Sequence, residues 1–352
     1  MIRMNIIRDA VAEPRQRSGV NSAVGAHDGR NVMTLKYKNT VGLSRGCSGL
    51  KKARGTMMVA AAAMMIGAGL TSSAWAQACE NPDELTFAII PTEETVAELQ
   101  LYQPITDRLA KETGKKIQFF MPTSYAAVVE GLLGKFVDVA VLGPYSYVIA
   151  SAKDETIEVF ATYAKRAGHL QEEGPGYKAA LITKKGSKFT DIASLEGSVL
   201  GLVDPGSTSG NLFPRVVFAK NVGGDLDAYF GRVVYTGSHE LSTVAVANGK
   251  VDAAFVATHR FDNVVNKGEV KLEDFNILWL SPVIPQDPFV YRNTLCDDLK
   301  ANIRATFLGL SLDDPGEKRF LDNVKSDKFV AVTSADYDVI RALKKAKDAR
   351  KN

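Results

Sequence analysis

The sequence is poor in the groups that most enzymatic chemistry needs. It has three cysteines in 352 residues, and none stands at the Cys/His spacing of a structural zinc site. The glycine-rich turn 204–210 has no lysine after Gly210, so it is not the phosphate-cradling loop of nucleotide hydrolases. Thr208 occupies the place where a nucleophile elbow needs serine. His239-Glu240 is followed at 243 by threonine, where a zinc-binding helix would need its second histidine. Hydrolase and oxidoreductase readings therefore lack a nucleophile, a metal set or a dinucleotide fingerprint. No enzyme, no cofactor and no metal are expected.

A basic surface is also missing. The net charge of +3 is unevenly placed: residues 1–78 hold 11 Lys/Arg and three acids, leaving 32 basic and 37 acidic residues in 79–352. That remainder is mildly acidic, which argues against nucleic acid as a partner. Nor does any segment reach the roughly 20 apolar residues of a membrane-spanning helix. The longest such run, Met57 to Leu70, follows Lys51, Lys52 and Arg54 and precedes Ala74-Trp75-Ala76 and Ala76-Gln77-Ala78. Positive region, short apolar run and A-x-A box in that order predict a cleaved signal peptide over 51–78, hence export to the periplasm. Residues 1–50 carry no pattern of a folded unit. They read as a disordered extension, or as sequence ahead of a true start at Met33 or Met57.

Cleavage would leave Cys79 and Cys296. In an exported domain two cysteines point to a disulfide, here tying the new N-terminus to the C-terminal part. The rival is lipidation of Cys79, although Ala76 and Gln77 fit a lipidation box poorly.

What is abundant is alternation of short apolar runs with amphipathic stretches. Strands are predicted at 85–90, 117–121 and 137–142, with helices at 95–113, interrupted by Pro104, and at 125–133. Strands at 199–203, 233–235 and 251–256, with helices at 210–220 and 241–247, repeat the design. This β-α-β-α order predicts parallel sheets with helical cover. Gly134-Lys135-Phe136-Val137-Asp138 echoes Gly249-Lys250-Val251-Asp252, as two similar α/β lobes would. A cleft between such lobes collects binding groups.

The sharpest local feature is Asp204-Pro205-Gly206-Ser207-Thr208-Ser209-Gly210, between a strand and a helix. Glycines allow close backbone approach, and the unpaired N–H groups of a helix start attract anions. Three adjacent hydroxyls add donors suited to a tetrahedral oxyanion. The plainer alternative is that Ser207 or Ser209 is an N-cap.

From about Leu85 to Asp338 the chain resembles the phosphate/phosphite/phosphonate-binding proteins of ABC importers. The resemblance rests on Met121-Pro122-Thr123-Ser124-Tyr125-Ala126, Leu142-Gly143-Pro144-Tyr145, Gly174-Pro175-Gly176-Tyr177, the Ser-Thr-Ser-Gly loop, Ser238-His239-Glu240 and 281–288, which reads Ser-Pro-Val-Ile-Pro-Gln-Asp-Pro. It implies a type II periplasmic binding fold, two Rossmann-like α/β lobes joined by two hinge crossovers, with lobe 1 at 79–175 plus 285–352 and lobe 2 at 176–284. It implies that Ser207, Thr208 and Ser209 receive the phosphorus oxyanion, that Tyr125 and Tyr177 bond to or pack on it, and that His239 and Asp287 face it. Taken singly, the tyrosines would be packing residues, His239 a helix cap and Asp287 a turn former. The expected partners are a small phosphorus oxyanion and an inner-membrane permease, and the protein is expected to be a monomer. The alternatives are a binding protein of the same fold for a sulfonate or carboxylate, and a ligand-sensing partner of a receptor. One departure stands out. Where aminoalkyl-phosphonate binders place a glutamate for the ligand's ammonium, this chain has Thr258-His259-Arg260. His259 or Arg260 would then meet a ligand without an amine, or one with a further anionic or polar group.

Overall fold

The computed structural model describes residues 79–91 and 95–350; the extension 1–50 and the signal segment 51–78 lie outside them. The chain opens with β1 (Glu84–Ile89), α1 (Thr95–Thr113), β2 (Lys116–Phe120), α2 (Tyr125–Leu133), β3 (Val139–Val141), α3 (Pro144–Lys153) and β4 (Ile157–Lys165). After β5 (Gly176–Tyr177) come β6 (Ala179–Lys184), β7 (Val199–Leu202), α4 (Phe213–Val216), α5 (Leu226–Tyr229), β8 (Arg232–Tyr235), α6 (His239–Ala247), β9 (Ala253–Ala257), α7 (Thr258–Asn266) and β10 (Phe275–Leu280). The chain returns through β11 (Ile284–Pro285) and β12 (Pro288–Arg292), and ends in α8 (Asp297–Leu308), α9 (Pro315–Asn323), β13 (Ser326–Ala331) and α10 (Asp338–Ala349).

These strands form two sheets, ordered β13-β4-β12-β3-β1-β2 and β10-β6-β9-β7-β8, each the centre of one α/β lobe. The chain crosses between sheets twice, between Lys165 and Ala179 and between Leu280 and Pro288. At the crossings β5 and β11 pair antiparallel, Tyr177 opposite Ile284. The sheets are mixed, whereas alternation alone predicts parallel ones. Parallel pairing is confined to β2-β1-β3 and β8-β7-β9. The strands next to the crossovers enter antiparallel, because a chain that leaves a sheet and comes back need not make a βαβ turn.

The two parallel trios are the same unit built twice. Asp138 N–H donates to the Thr86 carbonyl while its carboxylate accepts from Thr86 N–H at 2.8 Å. Asp252 does the same with Val199, also at 2.8 Å. The helix ends before them match too. Phe136 and Val137 N–H groups both donate to the Gly131 carbonyl, as Lys250 and Val251 do to Ala245. The structural alignment is one residue off the apparent sequence echo: Lys135 (φ 60°), not Gly134, is the counterpart of Gly249 (φ 65°).

Two local departures have clear causes. Helix α1 runs unbroken through Pro104. The carbonyl that loses its donor there belongs to Gln100, an exposed residue on the solvent side of the helix. The helix predicted at 210–220 is instead three pieces: a wide π-type turn (Thr208–Leu212), α4, and a 3₁₀ turn (Phe218–Val222). Pro214 has no N–H for the Gly210 carbonyl, which accepts from Val203 N–H at 3.1 Å instead. The turn therefore bonds from Leu212 back to Ser207, five residues away, at 3.0 Å.

Both lobes bury apolar cores, but of different kinds. The first is aromatic, with Phe87, Tyr102, Phe160, Phe289, Phe307, Phe320 and Phe329 in one cluster. The second is mostly aliphatic, with Phe218, Phe255 and Trp279 as its largest aromatic contact group.

Candidate ligand-binding site

A small cavity lies where the C-terminal ends of the parallel strands from both sheets meet. Ile90 follows β1, Tyr125 follows β2 and Gly143 follows β3. Ser207 and Thr208 follow β7, His239 follows β8, and Ala257, His259 and Arg260 stand at the end of β9. Tyr177 and Asp287 come from the two crossovers. This is where ligands collect in α/β sheets, since the strands end there and the helices begin. Four helices of nine or ten residues start at the cavity wall: α2 at Tyr125, α3 after Gly143, α6 at His239 and α7 after Ala257. Their partial positive ends converge on one point, a field that favours an anion. The enclosed space is about 10 Å³ for the centre of a water molecule, so the walls already stand close together.

The Ser-Thr-Ser loop is shaped by its own backbone. Asp204 Oδ1 accepts from Gly206 N–H at 2.7 Å, turning the chain at the end of β7. Ser207 is the N-cap, accepting from Gly210 N–H at 3.1 Å, and it also lines the cavity. The cap and ligand readings of that serine are thus compatible. Gly210 admits no side chain: a Cβ would sit 2.4 Å from Val203 Cγ2. The Thr208 hydroxyl accepts from Tyr145 N–H at 2.8 Å, and Ser146 donates to the Gly206 carbonyl at 3.0 Å. Both bonds join the two lobes across the cleft.

His239 is the first residue of α6, not its cap. Ser238 caps the helix, accepting from Leu241 N–H at 3.0 Å. The imidazole is therefore available, and its tautomer is set by the fold. Nδ1 accepts from Ala257 N–H at 3.0 Å, so the proton of the neutral ring sits on Nε2. Nε2 lies 3.5 Å from both Ser207 Oγ and Ser209 Oγ. Burial, aided by the charge of Arg260, depresses the His239 pKa to about 3. His239 is a neutral donor among hydroxyls.

The opposite wall is charged. Asp287 Oδ2 lies 3.8 Å from His259 Nε2 and 3.7 Å from Arg260 Nη2, while Arg260 Nη1 lies 3.7 Å from Glu240 Oε1. Burial raises the Asp287 pKa to about 6, against the opposing pull of Arg260 and Lys165. Burial, then Lys165 and Arg260, holds His259 well below the usual histidine range. The His259 ring packs edge-on against Tyr177 at 4.9 Å, and its buried Nδ1 has no hydrogen-bond partner among the described residues. Burial also pushes the Tyr125 and Tyr177 hydroxyls well above the ordinary phenol range, so both stay protonated donors.

The structure thus brings Tyr125, Tyr177, Ser207, Thr208, His239, His259 and Asp287 to one cavity, with Ser209 behind it against His239. Cys79 and Cys296 are bonded to each other well away from it, one beside β1 and the other capping α8. Arg260 and Glu240 carry more of the electrostatics than their place in the sequence suggests. The sequence already points to Arg260 beside His259, whereas Glu240 emerges only from the fold, which sets its carboxylate 3.7 Å from Arg260.

The family described as the periplasmic substrate-binding protein of phosphonate ABC transporters matches residues 87–337. The phosphonates-binding periplasmic protein of Escherichia coli is 33% identical over 273 residues, 76% of this chain and 78% of that one. The phosphate-import protein PhnD of Mycolicibacterium smegmatis is 28% identical over 280 residues, 74% of this chain and 84% of that one. The crystal structure of a binding component of a phosphonate ABC transporter from Pseudomonas aeruginosa superposes with a TM-score of 0.67 at 30% identity, over 75% of this chain and 86% of that one. PhnD1 of Prochlorococcus marinus, solved with methylphosphonate, shares the fold with a TM-score of 0.67 at 18% identity, over 76% of this chain and 99% of that one. With matching fold, matching sequence and a cavity built for an anion, this chain belongs to the family of periplasmic substrate-binding proteins of phosphonate ABC transporters.

Proposed function

We propose that the protein captures a phosphonate or a related phosphorus oxyanion, phosphite or phosphate, between its lobes and hands it to a membrane permease without altering it. The observation that carries this is the meeting of the Ser207–Ser209 hydroxyls, the His239 Nε2–H and four helix starts at one buried point. Fixed neutral donors in a dry site bind an anion strongly because they need no reorganisation and lose little to water. Tyr125 and Tyr177 supply two more hydroxyl donors. Asp287, when ionised, accepts a hydrogen bond from a protonated ligand oxygen and disfavours ligands that have no such proton.

The lobes in this reading are 79–175 with 285–352 and 176–284, hinged at the β5–β11 crossings. Nearly all the residues that line the cavity are buried, so a ligand enters only if the lobes part and close again. The interlobe bonds at Thr208 and Ser146 then belong to the closed form. The protein is read as an exported monomer, its leader removed before Cys79, since hinge motion and permease docking both need free surface.

Calorimetry against phosphate, phosphite, methylphosphonate, sulfate and taurine tests the reading. A phosphorus oxyanion should bind selectively, and Ser207→Ala, at a hydroxyl that lines the cavity, should weaken it roughly tenfold to a hundredfold, the cost of one hydrogen bond to a charged ligand. Binding of sulfate or taurine alone would transfer the protein to another anion class.

A further inference from the structure

Asp287 is the acceptor on the wall opposite the hydroxyl loop, and the charges gathered around it are informative. Two buried carboxylates, Asp287 and Glu240, reach the cavity region, and Arg260 stands within 3.7 Å of both. His259 Nε2 lies 3.8 Å from Asp287 Oδ2 as well. Lys165, buried behind them with its Nζ on the Val324 carbonyl, adds a second cation near Asp287. The acids that could have met a positively charged ligand group are therefore already matched by the chain's own cations.

From this the geometry points to Arg260 as the residue that sets ligand class: the protein takes phosphorus oxyanions that are bare or carry an uncharged substituent, and rejects those carrying an ammonium. The inference rests on the phosphorus-oxyanion reading above. An ammonium brought to Asp287 would lie beside the guanidinium in a buried site, where like charges a few ångströms apart repel strongly. It would have to displace Arg260 from Asp287, whose carboxylate is buried. His259, neutral and packed on Tyr177, offers no compensating negative charge. Discrimination here comes from a repulsive element, not from better contacts to the accepted ligand.

Isothermal titration with methylphosphonate, phosphite, phosphate and 2-aminoethylphosphonate decides the matter. The protein should bind its preferred uncharged-substituent or bare oxyanion at least roughly tenfold more tightly than 2-aminoethylphosphonate. In Arg260→Gln that ratio should shrink by about tenfold, with the change mostly in the aminoethyl ligand, whereas Arg260→Lys should keep it. Equal or tighter binding of 2-aminoethylphosphonate by the unaltered protein overturns the inference but leaves the functional reading in place. So does an unchanged ratio in Arg260→Gln. If Arg260→Gln fails to fold, the ratio in the unaltered protein decides alone. Failure of all four ligands to bind overturns the functional reading and this inference together.

Discussion

The two lobes share a β-α-β core and use it differently. In each, an aspartate at the start of a buried strand accepts from the neighbouring strand's N–H: Asp138 from Thr86, Asp252 from Val199. In the first lobe that aspartate also holds Arg292 at 2.5 Å, and Arg292 in turn pairs with Glu80, next to the Cys79–Cys296 bridge. The second lobe has no such staple among the described residues. It carries instead the three hydroxyls, His239, His259 and Arg260, while the first contributes Tyr125, Ile90, backbone and, from the returning crossover, Asp287. One copy of the unit is fastened and the other bears the polar chemistry. Buried polar groups cost stability unless paired, so a cross-linked, aromatic partner lobe is a sound base for them.

The largest expected contrast is between the two aspartates. Asp138→Asn removes the buried carboxylate from Arg292, which keeps Glu80, and should cost about 3 kcal/mol. Asp252→Asn loses one hydrogen bond and should cost about 1 kcal/mol. Urea melts of both variants measure the gap, and equal losses would mean that Arg292 contributes nothing. Next comes the bridge: Cys79→Ser with Cys296→Ser should lower stability by about 2–4 kcal/mol and leave the affinity for phosphorus oxyanions unchanged, as read by thermal melting and calorimetry.

Titration separates two cavity groups by sign. Asp287 has a folded pKa of about 6 against an ordinary 3.8. The folded state holds its proton longer, so the stability this group adds is present below 3.8 and is lost as the pH rises through about 6. His239 runs the other way: its folded value of about 3 lies below 6.5, so its contribution is present above 6.5 and lost as the pH falls towards 3. Asp287→Asn should therefore gain stability relative to the parent between about pH 4 and 7, and His239→Gln should gain on acidification, each by on the order of 1 kcal/mol per pH unit. Parallel pH–stability curves for parent and variant would contradict the assignment. The smallest effect is at the helix ends. Lys135 holds the left-handed conformation that Gly249 holds in the other lobe. Lys135→Gly relieves strain of about 1 kcal/mol and forfeits only an exposed ion pair with Glu80, so stability should hold or rise slightly.

Much of this was legible in the sequence. The alternation of strands and helices and the hydroxyl loop between Gly206 and Gly210 are local patterns, set by side-chain period and by the residues that turns demand. The Val-Asp repeat was visible too, although only the backbone shows that Lys135 and Gly249 are the matched pair. The π-type turn at Thr208–Leu212 was not legible. Pro214 marks a break, but where the freed Gly210 carbonyl goes depends on Val203, which the tertiary fold brings alongside.

The sequence by itself determined the elements and the chemical character of the oxyanion loop, because those depend on neighbours along the chain. Only the tertiary structure decided that His239 is a neutral donor, since its tautomer is fixed by an N–H eighteen residues away at Ala257. Only it decided that Arg260 stands between Glu240 and Asp287, 20 and 27 residues distant. Protonation and charge pairing in a buried site are set by what lies across the cavity, and that is a property of the fold.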